Sequence, residues 1–85
     1  MARYFFHSED GRRIADEEGL ELPNLASARL EAVRVLGELL KEDPEDLLVT
    51  GGMRLTVTDK AGLVYFALDL SATDAAAGRA RRSGG

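Results

Sequence analysis

The spacing of apolar and polar residues predicts one long helix in the middle of the chain. From Leu25 to about Glu42 the apolar side chains recur at helical intervals, and most charged side chains fall on the opposite side. Asn24 is suited to the position before the first turn, because its side-chain oxygen can accept a free amide hydrogen. Asp43 and Pro44 end the pattern, since a residue that precedes proline avoids the helical conformation. The helix is expected to lay one face on a sheet.

Regular alternation predicts a hairpin after this helix. Apolar and polar residues alternate from 53 to 58, which is the period of a half-buried strand. A polar turn at 59–62 then leads into a second strand over 63–70. Between the helix and the hairpin, residues 47–49 are apolar and are interpreted as a short turn of helix that covers the end of the core.

The first part of the chain predicts shorter strands. Residues 4–8 are mostly aromatic, and residues 13–15 can form a returning strand after Asp10 and Gly11, a pair that tolerates the positive φ of a tight turn. The segment 20–22 places two leucines on one side. It is interpreted either as a third brief strand or as an extended lead-in to the helix.

Together these elements predict an α+β fold, a two-layer sandwich in which one long helix packs on an antiparallel sheet of about four strands in the order ββαββ. Residues 1–70 are expected to form this single domain. The face toward the helix is predicted to carry Tyr4, Phe6, Ile14, Met53, Leu55, Val57, Val64, Phe66 and Leu68. The outer face is predicted to carry Phe5, His7, Arg54, Thr56, Thr58, Leu63 and Tyr65.

Charge divides the chain into two unequal parts. Residues 1–70 hold 8 basic and 14 acidic side chains, a net charge of −6, whereas residues 71–85 have a net charge of +2. The final segment has no apolar residue larger than alanine, so it is predicted to be a disordered tail. Its arginines, Arg79, Arg81 and Arg82, are the candidate tail contacts for a phosphate or a protein. The acidic body opposes binding to nucleic acid, so nucleic acid is not the expected partner.

The residue types needed for catalysis are mostly missing. The 85 residues include no cysteine and one histidine, and no glycine-rich phosphate loop is present. The acidic residues Asp10, Asp16, Glu17 and Glu18 lack the spacing that surrounds a calcium ion with oxygens. We therefore expect no enzyme activity, with no catalytic residue, no metal site and no cofactor.

Exposed aromatic residues identify a candidate interaction surface. A monomer of the predicted fold would expose Phe5 and Tyr65 on its outer face, and clustered exposed aromatic rings are typical of contact surfaces. The candidate surface comprises Phe5, His7, Arg54, Thr56 and Tyr65. The sequence predicts a homodimer, or contact with another protein, through this face or through a sheet edge.

Arg29 departs from the helical pattern because it projects into the side of the apolar face. One interpretation is that its methylenes lie along the edge of the core while the charged end stays in water. The other is that it pairs with a carboxylate from the acidic turn at 16–18.

Several motifs resemble those of a known family. They are Tyr4-Phe5-Phe6, then Asp10-Gly11, then the pattern Asp-x-Glu-Gly-x-Glu-Leu-Pro at 16–23 and the helix that follows. In this order they resemble a family of short, uncharacterised bacterial proteins classed as a domain of unknown function, over about residues 3–70. The arrangement is also similar, more weakly, to the amino-terminal domain of HicB-type antitoxins, which would imply a small basic RNA-degrading toxin as the partner.

The leading functional hypothesis is a protein-interaction module without enzymatic activity that forms a homo-oligomer. An antitoxin-like neutraliser of a small basic toxin is the second hypothesis, and weak nucleic-acid binding through the arginine tail is the third. No secretory signal and no apolar run long enough to cross a bilayer is found, so a cytoplasmic protein is expected.

Overall fold

The computed structural model describes residues 1–75 and has the predicted α+β architecture, with five strands and two helices. An antiparallel sheet of five strands packs against a long helix. The strands are β1 (Ala2–Glu9), β2 (Arg13–Ile14), β3 (Leu20–Leu22), β4 (Gly52–Thr58) and β5 (Val64–Ser71), and the helices are α1 (Leu25–Glu42) and α2 (Pro44–Thr50).

The sheet is built around β1 and β4. Its strand order is β2-β1-β4-β5, and β3 pairs with the first residues of β1, so that the brief strand at 20–22 is confirmed. All of these pairings are antiparallel. One edge of the sheet is therefore formed by two very short strands, and the other by the eight residues of β5.

Helix α1 begins and ends where the sequence predicts. The side-chain oxygen of Asn24 accepts a 2.9 Å hydrogen bond from the amide of Ser27, which satisfies one of the free donors of the first turn. At the other end the amide of Asp43 donates to the carbonyl of Leu39. Pro44 does more than stop α1, because it occupies the first turn of α2, where its missing amide hydrogen costs nothing.

The core is small and lies between α1 and the centre of the sheet. Ala28 and Ala32 are fully buried on the helix, as are Leu55 and Val57 on β4. Tyr4 of β1 completes this cluster. Because the two alanine side chains are small, the backbone of α1 lies close to the sheet. Larger apolar side chains pack around this buried cluster.

A β-bulge changes which side of the sheet the start of β5 presents. Val57 pairs with Phe66 but Thr58 pairs with Val64, so Tyr65 is an extra residue between them. The predicted positions of Val64 and Tyr65 are therefore wrong. Val64 shares the outer face with Thr58, and the Tyr65 ring lies 5.4 Å from the Tyr4 ring, on the helix side.

Two further expectations about burial need correction. Residues 47–49 do form part of a helix, but Leu48 and Val49 of α2 are exposed and do not cover the core. Ile14 is 52% exposed because β2 lies at the edge of the sheet, beyond the centre of α1.

The predicted tail extends from residue 71, and its part from 76 to 85 lies outside the described residues, as do the candidate contacts Arg79, Arg81 and Arg82.

Over the described residues, neither helix is both long enough and apolar enough to cross a membrane.

Truncation of the central strand should test the position of the core. We expect Leu55→Ala to lower the free energy of unfolding by about 2–5 kcal/mol, because it leaves a cavity at a fully buried site. Leu48→Ala removes the same atoms from an exposed site and should change it by about 0.5 kcal/mol or less. Urea denaturation of both variants measures the difference, and equal losses would contradict the core described above.

Candidate functional site

The structure keeps four of the five predicted surface residues together on the outer face. Phe5 pairs with Thr58, His7 with Thr56 and Glu9 with Arg54, so alternation along the strands puts Phe5, His7, Thr56 and Arg54 on one side. Tyr65 lies on the opposite side because of the bulge. A role of these residues in binding remains a prediction.

Phe5 is not exposed, contrary to the prediction. Only 8% of it is accessible, because the segment 15–19 between β2 and β3 folds over the outer face. Gly19 marks the closest approach, since a Cβ atom at this position would lie 2.8 Å from the Phe5 ring and from the Arg3 side chain. The exposed aromatic pair that the sequence indicated is therefore absent.

His7 links this segment to β4 through both ring nitrogens. Its Nδ1 accepts a 3.0 Å hydrogen bond from the amide of Asp16, so the neutral ring carries its proton on Nε2. Nε2 lies 2.9 Å from the hydroxyl oxygen of Thr58, to which it donates, and that hydroxyl donates in turn to the carbonyl of Asp59. The ring also stacks on Phe5.

The carboxylate of Asp16 fixes the same segment to β1. Its Oδ2 accepts a 3.1 Å hydrogen bond from the amide of Phe6, which lies between the parts of β1 that pair with β2 and β3. Its Oδ1 accepts from the amides of Glu18 and Gly19 at 3.0 and 3.1 Å. One side chain thus satisfies an edge amide of the sheet and shapes the turn that covers Phe5.

The protonation of both groups reflects this arrangement. Desolvation by burial, followed by the positive charge of Arg13, lowers the pKa of His7, and the Asp16 carboxylate opposes this shift. Burial alone would raise the pKa of Asp16, but its hydrogen bonds from Phe6, Gly19 and Glu18 outweigh that effect and lower the pKa. The folded state therefore favours neutral His7 beside ionised Asp16.

This geometry can hold a loop but does not activate a nucleophile. A general base must accept a proton from the group that it activates. Here Nε2 of His7 donates to Thr58, so it cannot take the hydroxyl proton. An open cavity of about 400 Å³ adjoins the site, lined in part by Arg13, Glu17 and Lys60. Within residues 1–75, no group of three or more His, Cys, Asp or Glu side chains is placed to hold a metal ion.

Arg54 makes a separate contact on the outer face. Its guanidinium donates two hydrogen bonds, of 2.7 and 3.0 Å, to the two carboxylate oxygens of Asp69 on β5. Both side chains are more than half exposed, so the pair contributes little to stability. Its main effect is to neutralise the one charged residue of β5.

A second surface is formed by β5 itself. This strand ends the sheet, and in the part of the chain that the structure describes no other strand pairs with its outer side. It has neither lysine nor proline, the residues with which exposed edges are commonly protected. The sequence predicted contact through a sheet edge but did not indicate which edge. The eight-residue apolar strand at the end of the hairpin was the available signal.

The side of α1 above β5 extends this surface. The Arg29 guanidinium lies over the Phe66 ring of β5, 5.3 Å from its centroid, which favours neither of the two sequence-based interpretations. Val33, Leu36 and Leu40 follow Arg29 at helical spacing and lie on the same side of α1. We call β5 together with these three residues the edge surface.

The opposite edge of the sheet differs from the edge surface in both shape and charge. Its strands have two and three residues, and Asp16 occupies the gap between them. An open groove of about 370 Å³ separates this edge from α1, and Ile14, Leu20, Glu31 and Val35 are among the residues that line it. The β5 edge is therefore the longer and more continuous of the two edges.

The fold and these surfaces define a small α+β domain that offers one open sheet edge and has a blunted opposite edge. The family DUF6894, described as a domain of unknown function, matches residues 3–71. The chain belongs to this family, as the sequence motifs implied. No curated protein and no solved structure matches it, and the weaker likeness to HicB-type antitoxins is not supported.

The burial of His7, together with the positive charge of Arg13, lowers its pKa and makes stability depend on pH. The pKa of His7 is lowered from its ordinary value of 6.5, so the unfolded chain takes up a proton more readily than the folded one. Stability should be at its full value above pH 6.5 and should decrease as pH falls below it. Urea midpoints at pH 8 and pH 5.5 measure the effect. In the His7→Gln variant the midpoints at the two pH values should differ much less. If they differ as much as in the unmodified protein, the pH dependence does not arise from His7.

Paired glycine substitutions test the close approach of the segment 15–19. Gly19→Ala should destabilise the fold by about 1–3 kcal/mol, because Gly19 has a φ of +71° and its Cβ would meet the Phe5 ring. Gly37→Ala should stabilise it by about 0.5–1 kcal/mol, because Gly37 lies within α1 and its Cβ would meet nothing within 4 Å. Thermal denaturation measures whether each substitution raises or lowers stability. A Gly19→Ala variant with unchanged stability would exclude the contact between segment 15–19 and Phe5.

Proposed function

We propose that this protein is a non-enzymatic protein-interaction module that binds a partner by adding a strand to the free edge of β5. The observation that carries the proposal is the contrast between the two sheet edges. One edge is shortened, and the Asp16 carboxylate binds an amide there, whereas the other is a strand of eight residues whose outer side pairs with no strand of residues 1–75.

Backbone groups supply the first part of the binding energy. An edge strand leaves alternate amides and carbonyls without partners, and an added strand satisfies them. The side chains of β5 are almost all apolar, and its one carboxylate, that of Asp69, already pairs with Arg54. An approaching strand therefore meets little charge that would have to be desolvated.

Apolar side chains next to the edge supply the second part. Tyr65 is 41% exposed and Val33 is 59% exposed, both on the helix side of the sheet. Contact with these residues would remove apolar surface from water at about 25 cal/mol per Å². The edge and the side of α1 together offer backbone pairing and apolar contact in one place, as strand-addition sites do.

The non-enzymatic part of the proposal is supported by the state of His7. It is the one histidine of the chain, and its two ring nitrogens hold the segment 15–19 in place. Its role in this arrangement is to stabilise the fold of the outer face.

Site-specific photo-crosslinking tests the proposal in the native host. A benzophenone amino acid replaces Tyr65 at the edge surface in one variant of the full chain and Leu48 on α2 in the other. Both side chains are exposed, and Leu48 lies outside the edge surface. We expect a crosslinked product larger than 9.2 kDa from position 65 and much less from position 48. Equal yields, or no product at position 65, would refute strand addition at β5.

A further inference from the structure

We infer that the strand added to β5 is β5 of a second copy of this chain, so that two copies form one continuous antiparallel sheet about a two-fold axis. This inference rests on the proposed function and names its partner. The axis runs perpendicular to the sheet and passes beside Leu68.

A two-fold axis follows from the kind of pairing. Two identical strands that pair in antiparallel orientation are exchanged by a rotation of 180°, which gives a closed dimer with no further free edge of this kind. The same rotation keeps both α1 helices on one face of the joined sheet. They would lie side by side in opposite directions, at the edge where the two copies meet.

The charge distribution favours a second copy. Residues 1–70 have a net charge of −6, so two copies repel each other over most orientations. The edge surface is the exception, since Asp69 is its one acidic residue and pairs with Arg54. By contrast, the acidic residues Asp16, Glu17, Glu18 and Glu21 lie at the opposite edge. Two copies therefore meet with least repulsion through β5.

The sequence of β5 indicates the register. Pairing centred on Leu68 places Phe66 of one copy opposite Leu70 of the other, and Ala67 opposite Asp69. In this register the paired segment runs from the bulge at Tyr65 to the last residue of β5, and Leu68 lies at its centre. Pairing centred on Asp69 would place two carboxylates directly opposite each other, which is destabilising.

The side of α1 completes the contact. Arg29, Val33, Leu36 and Leu40 form its stripe toward β5, and this stripe contains no acidic residue. In the antiparallel arrangement, Val33 and Leu36 of one helix lie nearest the same residues of the other. Because Arg29 lies over Phe66, which is opposite Leu70 of the second copy, the two guanidinium groups lie at opposite ends of the contact and do not repel strongly.

Helix variants with a matched control test the dimer. Val33→Glu places a charge in the contact between the helices, whereas Leu30→Glu places one on the side of α1 that faces away from the sheet. Both residues are exposed, at 59% and 68%, so both variants should fold, which circular dichroism verifies. Sedimentation of the unmodified full chain should give twice 9.2 kDa. Val33→Glu should raise the dissociation constant at least about tenfold, with a change of about twofold or less for Leu30→Glu.

Single cysteines test the register in a chain that has none of its own. In the register centred on Leu68, the Cβ atoms of two Leu68→Cys copies would lie about 5 Å apart, close enough for a disulfide under mild oxidation. The matched variant Leu70→Cys substitutes the same residue type on the same face. Its two sulfurs would be displaced by about four residues along the strands, roughly 13 Å, and should not join.

The outcomes separate this inference from the proposed function. A 9.2 kDa monomer at about 100 μM would overturn the inference, and equal effects of Val33→Glu and Leu30→Glu would do the same. Preferential joining of Leu70→Cys would overturn the register. If the crosslinked product at position 65 has a mass other than that of two copies, the inference fails while strand addition at β5 stands. If position 65 gives no product, both fail.

Discussion

An antiparallel sheet has two edges, and each presents backbone groups that need a partner. The need to satisfy these backbone groups explains why the two edges of this sheet differ. The strands of the described residues form an open sheet, and one helix covers only part of one of its faces. The two edges of the sheet have different structures. One is divided between brief strands and completed by a side chain, and the other is left as a long apolar strand.

Asp16 and His7 connect the blunted edge to the rest of the fold. Asp16 takes the place of a strand beside Phe6, and the amide of Asp16 is in turn bound by His7. The ring of His7 reaches Thr58 at the end of β4. Segment 15–19, β1 and β4 are thus joined by side chains where the backbone ladder is interrupted. The same contacts bury Phe5, so the outer face has less exposed aromatic surface than its sequence suggests.

Local signals in the sequence were sufficient for much of the fold. The limits of α1 follow from the cap at Asn24 and the proline at 44, both of which act within one turn. The alternation of β4 likewise identified its buried residues Leu55 and Val57. These features depend on neighbours in the chain, which is why their positions could be predicted without the tertiary structure.

Other features depend on contacts between distant residues and could not be predicted in the same way. The alternation of β5 gives no sign of the bulge, which arises from its pairing with β4 and exchanges the faces of Val64 and Tyr65. The burial of Phe5 depends on the path of the segment 15–19 across the sheet. For these two reasons the sequence did not predict that Phe5 is covered or that Tyr65 lies on the helix side. The exposed edge is a property of strand order, so it too required the assembled sheet.

The Tyr4 and Tyr65 rings also give the molecule an optical property. The chain has two tyrosines and no tryptophan, so its ultraviolet fluorescence comes almost wholly from this one pair of rings, whose centroids are 5.4 Å apart. Tyr4 belongs to the buried cluster, and Tyr65 lies beside the open edge. A single emission signal therefore reports on the interior and on the surface at the same time. Because the rings are close enough to exchange excitation energy, the polarisation of that emission depends on their distance and angle.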